Sequence, residues 1–144
     1  MSYSARPVSE TRRFVKEETP IRTPEDVFER LKTRIDRYQE HFFVVTLDTG
    51  KKPIKVHDVF KGTLNAATCH PRDIFREAIK DNAAAIIIAH NHPSGSLVPS
   101  LEDLKVTQNI FEASRILGID FLDHLIITAK NGFYSFAGNG HLNH

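Results

Sequence analysis

One stretch of the sequence restricts the fold more than any other: the apolar run AAAIIIA at residues 83–89, which ends in His90-Asn91-His92. The run is too short for an independent helix, and its isoleucines favour a strand. Because almost every residue in it is apolar, both faces of that strand must be covered. The sequence therefore predicts a central strand that delivers its carboxyl end to His90.

The rest of the chain supplies helices and strands to surround that run. A helix is predicted after Thr23 as N-cap, with Val27, Leu31, Ile35 and Tyr38 on one apolar stripe. The further predicted elements are two strands joined by a turn at 48–51, a helix from His70-Pro71 with Ile79 in its apolar stripe, a helix after Ser100 that ends at Gly118, and two strands joined at Asn131-Gly132. We expect an α/β domain of three layers, in which a mixed β-sheet is flanked by helices.

Length, charge and cysteine content limit the class of protein. The 144 residues suit one domain, predicted at 21–137 between a flexible arm, 1–20, and a frayed end, 138–144. Lys and Arg number 19 against 18 Asp and Glu, so charge gives no support to nucleic-acid binding. Cys69 is the single cysteine, and no apolar run reaches the length of about 18 residues that a membrane span needs. We expect a cytoplasmic protein without membrane contact, of open oligomeric state.

His90 and His92 are spaced so that both side chains can face one ion. Residues two apart on a strand point to the same side. Buried imidazoles need compensation, and metal ligation is a common form of it. Hydrogen bonds to carboxylates, or simple exposure, would serve equally well for the pair alone. His-x-His is therefore a weak signal without a further ligand.

The following loop offers that further ligand. Pro93, Gly95 and Pro99 favour a compact loop, which can return the next helix to the strand end and deliver Asp103. Two imidazoles and one carboxylate leave a fourth tetrahedral position open, the pattern of a catalytic zinc site. Ser100 and Asp103 also form a capping pattern, so the pair has a purely structural interpretation.

These residues together resemble a known signature. His90-x-His92 followed by Ser100 and Asp103 at this spacing is similar to the JAMM (MPN+) metalloprotease motif. The words HNHPSG, PRDIFREAI and DHLII resemble the bacterial RadC family over roughly Ile21 to Phe136, in its short form without a helix-hairpin-helix region. The resemblance implies a JAMM/MPN-like, cytidine-deaminase-like fold with His90, His92 and Asp103 as ligands of Zn²⁺.

The resemblance also implies a chemistry, in which metal-activated water attacks an amide bond of a peptide or protein substrate. Such a hydrolase needs a general base, and composition does not choose among Glu40, Asp48, Asp58 and Asp123. The family's pattern places its glutamate at the start of the first long strand, which is Glu40 here. Ser100 takes the role of stabilising the carbonyl oxygen.

Other interpretations remain open at the level of sequence. The same domain would serve as a non-catalytic module that binds DNA or a repair-associated partner around a structural or vestigial metal. The letters His-Asn-His do not indicate a nuclease, because the residues of that motif are dispersed over a ββα-metal unit. Asp123-His124 has two interpretations, an acid that orients an imidazole behind the metal ligands or, as favoured here, a satisfied core pair. Cys69 is interpreted as packing.

Overall fold

The computed structural model describes residues 19–142, so the first 18 residues of the predicted arm lie outside it. The elements are α1 (Pro24–Leu31), a 3₁₀ turn (Lys32–Arg34), β1 (His41–Leu47), β2 (Pro53–Lys61), α2 (Pro71–Lys80), β3 (Ala85–Asn91), α3 (Leu101–Leu117), β4 (Asp120–Ile127) and β5 (Phe133–Ser135). The strands form one sheet in the order β2-β1-β3-β4-β5. The predicted α/β class and mixed sheet are confirmed.

β3 is the centre of the sheet, and each of its residues is buried. It pairs antiparallel with β1 and parallel with β4. Ile86 and Ile88 pack with α2 and α3 on one face, whereas Ile87 packs with α1 on the other. The three-layer arrangement therefore follows from the apolar run, which has a helical layer to meet on each side.

The antiparallel pairing of β1 and β3 determines where the polar residues meet. Phe42, near the start of β1, lies opposite His90 at the end of β3. Glu40 precedes β1, and α3 begins after the loop that follows β3. The start of β1, the end of β3 and the start of α3 therefore lie at the same end of the central strands, where the predicted site residues can come together.

The helix ends mostly agree with the sequence. Thr23 and Ser100 both form capping boxes, and Gly118 ends α3 with φ of 71°. The prediction that the helix continues past Leu31 is wrong, because a 3₁₀ turn follows there. Ile35 still packs against the core, whereas Tyr38 is 92% exposed. Ile79, predicted to face the core from α2, is also exposed.

The end of the chain folds back rather than fraying over its described part, residues 138–142. Leu142 belongs to the core beside α2 and α3 and is 7% exposed. The His141 N–H donates to the Phe136 carbonyl at 2.9 Å, and the His141 ring lies 2.8 Å from the Tyr134 hydroxyl.

Among the described helices, none has the length and hydropathy that crossing a membrane requires.

Ile110 and Ile116 form a matched pair on α3 for testing this core. Ile110 is fully buried, whereas Ile116 is 85% exposed. Ile110→Ala should lower the free energy of unfolding by about 2–5 kcal/mol, because it opens a cavity. Ile116→Ala should change it by less than about 0.5 kcal/mol. Urea unfolding followed by circular dichroism measures both, and equal losses would contradict the assigned packing of α3.

Candidate metal centre

Three donor side chains meet at the carboxyl end of β3. His90 is the last but one residue of the strand, His92 directly follows the strand, and Asp103 lies in the first turn of α3. His90 Nε2 is 3.1 Å from Asp103 Oδ1, and His92 Nε2 is 3.3 Å from Asp103 Oδ2. One ligand atom from each residue lies within 4.8 Å of the others, so the cluster could hold a metal ion.

The loop between the strand and α3 is short and internally bonded. The His92 N–H donates to the Ile127 carbonyl, which continues the β3–β4 pairing past the end of the strand. Gly95 adopts φ of 86°, and its N–H donates to the His92 carbonyl at 3.0 Å. Asn131 donates to the Gly95 carbonyl at 2.7 Å. A side chain at Gly95 would be strained by the positive φ, which makes glycine the suitable residue for this return.

The His92 ring is oriented by a backbone group. Its Nδ1 is 2.8 Å from the Ser96 carbonyl oxygen. A carbonyl only accepts, so Nδ1 carries the proton in this contact. The other nitrogen, Nε2, then offers a lone pair toward Asp103 when the ring is neutral. A ligand histidine commonly has this arrangement, with the remaining N–H held by a carbonyl or carboxylate.

His90 Nε2 is a buried nitrogen without a hydrogen-bond partner among the described residues. The carboxylate beside it lies at close range but outside hydrogen-bond geometry. A buried polar atom left unbonded is unfavourable, and coordination would satisfy it. Two imidazole nitrogens and a carboxylate oxygen suit a divalent transition metal. The residues present therefore fit a metal ion.

The charges of the cluster also favour a cation. Burial by itself would raise the pKa of Asp103, but the neighbouring His90 and His92 rings and the Ser100 N–H hold that pKa well below its ordinary value. Burial lowers the pKa of His92, yet its contact with the Asp103 carboxylate raises it overall. Asp103 is thus an anion that attracts positive charge between itself and the imidazoles.

Ser100 and Asp103 combine the two interpretations of their spacing. The Asp103 N–H donates to Ser100 Oγ at 3.0 Å, and the Ser100 N–H donates to Asp103 Oδ2 at 2.8 Å. The capping box is therefore formed. It orients the same carboxylate that faces His90 and His92, so the cap and the cluster share one side chain.

Glu40 lies at the edge of the cluster, with Oε1 4.0 Å from His90 Nε2. Sequence reasoning overlooked the residue that holds its segment, Asn91. Asn91 Oδ1 accepts the His41 N–H at 2.6 Å, and its amide donates to the carbonyls of Asp36 and Gln39. The strand alternation is the signal that could have found it, because Asn91 must face away from both histidines.

Comparison with protein families agrees with this geometry. The sequence model of the RadC-like JAB domain matches residues 21–141. The chain belongs to this family. The matched range includes residues 138–141, which the sequence had predicted to be part of a frayed end.

Relatives in this family carry the name UPF0758 protein, which defines no activity. The protein of Pelodictyon phaeoclathratiforme is 47% identical over 121 residues, covering 83% of this chain and 54% of the relative. That of Staphylococcus aureus strain NCTC 8325 is 45% identical over 131 residues, covering 90% and 60%. The chain thus spans about half the length of the curated relatives it matches.

The other acidic candidates have structural partners. Asp48 accepts N–H groups within the β1–β2 turn, and Asp58 contacts the His41 ring. Asp123 accepts from the backbone N–H groups of His124 and Ala137 and from the Ser135 hydroxyl. The His124 ring contacts His90 and Thr107 through its two nitrogens.

Burial shifts the pKa values of two further side chains, His124 and Cys69. The buried ring of His124 has a pKa well below its ordinary value, because burial disfavours its charged form. Burial likewise raises the pKa of Cys69 to about 12, so this thiol stays protonated at neutral pH. The interpretation of Cys69 as a packing residue agrees with its location in the core.

The cap at Ser100 can be tested apart from any chemistry. Ser100→Ala should lower the free energy of unfolding by about 1 kcal/mol, because the Asp103 N–H loses its acceptor. Ser100→Thr retains an accepting hydroxyl and should lose much less. Urea unfolding of the metal-free protein measures both changes, and an alanine variant as stable as the wild type would show that the cap contributes nothing.

Proposed function

We propose that this domain is a zinc-dependent hydrolase of the JAMM type, which cleaves an amide bond in a peptide or protein. The observation that carries the proposal is the position of Glu40, whose carboxylate lies 4.0 Å from the unbonded nitrogen of His90. A structural zinc site is closed by four protein ligands and does not require a further carboxylate beside it. A hydrolytic site needs one there to move protons.

His90, His92 and Asp103 would hold the ion through two nitrogens and one oxygen. This donor set is typical of catalytic zinc with one coordination position left for water or substrate. In such a site zinc lowers the pKa of water toward neutrality and polarises a carbonyl group. The protein contributes a buried and oriented set of ligands, since His90 and Asp103 are both almost fully enclosed.

Glu40 acts as the general base and then as the general acid. Its side chain retains partial exposure beside the enclosed His90, so it can meet water and substrate at the mouth of the site. It would accept a proton from the attacking water and pass it to the leaving amine. Asn91 accepts the His41 N–H and donates to the Gln39 carbonyl, so it holds the backbone on both sides of Glu40 and limits the movement of the carboxylate.

Ser100 would stabilise the negative charge that develops on the carbonyl oxygen. Its oxygen accepts the Asp103 N–H, and its own hydroxyl proton has no acceptor in the described hydrogen bonds. A donor held at a helix N-terminus suits an oxyanion. A cavity of about 240 Å³ adjoins the site at His92, and Tyr38 and Lys130 line part of it, so a substrate side chain has room beside the proposed ligands.

Zinc retention tests the ligand set. The wild type should bind one zinc ion per chain, and His90→Gln, His92→Gln and Asp103→Asn should each lose it. At a free zinc concentration of about 100 times Kd, the wild type should gain about 2.7 kcal/mol of stability. Elemental analysis after dialysis and thermal unfolding with and without zinc measure the two effects.

His70→Gln is the matched control for those variants, because His70 is an exposed histidine at the start of α2 without a capping hydrogen bond. It should keep both the metal and the thermal shift. Full zinc retention in all three ligand variants would refute the metal centre.

Glu40→Gln separates metal binding from turnover. The amide keeps the size of the side chain but cannot accept a proton, so zinc stoichiometry should stay at the wild-type value while kcat falls by about 10²–10⁴-fold. Cleavage of a defined peptide and isopeptide library, followed by mass spectrometry, measures the rate. Glu112→Gln, an exposed position on α3, should match the wild type.

Two results of that assay would contradict the proposal. Undiminished cleavage by Glu40→Gln would remove the base from the mechanism. A zinc-loaded wild type that cleaves no member of the library would favour the alternative, a partner-binding module with a structural metal.

A further inference from the structure

A buried row of hydrogen bonds lies behind His90 on the side away from Glu40. His90 Nδ1 is 3.2 Å from His124 Nε2, and His124 Nδ1 is 2.6 Å from Thr107 Oγ1. The same hydroxyl is 2.9 Å from the backbone carbonyl oxygen of Asp103. The row therefore begins on one candidate ligand, His90, and ends on the main chain of another, Asp103.

The chemistry of the groups gives this row a single direction. A carbonyl oxygen only accepts, so the Thr107 hydroxyl donates its one proton to Asp103. The contact between Thr107 and His124 must then use the proton on His124 Nδ1. His124 Nε2 is left as an acceptor and receives the N–H from His90 Nδ1. The last consequence is that a neutral His90 ring carries no proton on Nε2, the atom that faces the metal centre.

The opposite direction leaves two unfavourable contacts. If Thr107 donated to His124, its oxygen would face the Asp103 carbonyl at 2.9 Å with no proton between them. His124 would then donate to His90 Nδ1 and place a proton on His90 Nε2, where the nearest described carboxylate oxygen, Asp103 Oδ1 at 3.1 Å, lies outside hydrogen-bond geometry. Burying a donor without an acceptor is unfavourable. The first direction gives each of the three hydrogen bonds in the row one donor and one acceptor.

Packing holds the row in place. The His124 ring is fully buried and stacks on Phe136, with ring centroids 4.3 Å apart and an interplanar angle of 7°. Thr107 is also buried, one turn after Asp103 on α3. Neither residue can turn toward solvent for a different partner, so the buried hydrogen bonds determine the arrangement.

We propose that Thr107 and His124 are positioning residues, which fix His90 in the tautomer with a bare Nε2 and thereby set the metal affinity of the site. The proposal rests on the proposed role of His90 as a ligand. It goes beyond the signature, because neither residue is part of the His-x-His, Ser and Asp pattern. Orientation of ligand rings through their second nitrogen typically changes metal affinity by about 10–100-fold.

Zinc affinity in Thr107 variants tests the proposal. Thr107→Val keeps the shape of the side chain but removes the hydroxyl, so Kd for zinc should rise by about 10–100-fold in competition with a chromophoric chelator. Thr107→Ser should restore an affinity near that of the wild type. An unchanged Kd in a folded Thr107→Val protein would overturn the proposal.

Thr46→Val is the matched control, because it removes a hydroxyl of the same kind away from the metal centre. Thr46 is fully buried in β1, and its hydroxyl donates to Asp81 at 2.7 Å. The variant should lose stability comparable to that lost by Thr107→Val yet bind zinc as the wild type does. An equal loss of zinc affinity in both variants would mean that the effect is general loosening, which overturns the positioning role.

The tautomers can also be read in the wild-type protein alone. Long-range ¹H–¹⁵N correlation spectra of the imidazole rings should show His124 protonated on Nδ1 and not on Nε2, in both the metal-free and the zinc-loaded protein. A proton on His124 Nε2 would overturn the proposal, whether or not any variant folds. A zinc-binding protein without hydrolytic activity would instead refute the proposed function and leave the tautomer and affinity results intact.

Discussion

The arrangement of the molecule around the candidate metal centre depends on one buried carboxylate. Asp103 is enclosed by the protein and faces two imidazoles at 3.1 and 3.3 Å. Burial of an ionised group is unfavourable unless hydrogen bonds and opposite charge compensate for it. The capping box at Ser100, the positive end of α3 and the two rings supply that compensation together.

That constraint explains why several local features occur at the same place. α3 must begin beside the end of β3, so the connecting loop has to return within a few residues, and Gly95 allows this with a positive φ. β1 must run antiparallel to β3 for Glu40 to reach the same edge. The Nδ1 atoms of both rings have hydrogen-bond partners, Ser96 for His92 and His124 for His90.

Much of this was predictable from local patterns. The apolar run predicts a central strand, and the loop residues between His92 and Asp103 predict a return of the chain, because turn and capping preferences are short-range. The choice of Glu40 depended on resemblance to a family rather than on any local pattern. Tyr38 was wrongly predicted to lie on the helix, because the apolar residues Ile35 and Tyr38 continue the helical spacing past Leu31. Leu142 and the partners of His124 depend on contacts between distant segments, which periodicity does not encode.

Side chains along β3 alternate between the two faces of the sheet, so His90 and Asn91 point to opposite faces. His90 faces the core under α2 and α3, while Asn91 reaches across to the backbone of residues 36–41 on the opposite side. Inserting or deleting one residue in β3 would exchange these orientations. A histidine ring would then face the backbone of residues 36–41, and the asparagine amide would face the candidate metal centre. The position of the His-Asn-His segment therefore depends on the length of the strand that precedes it.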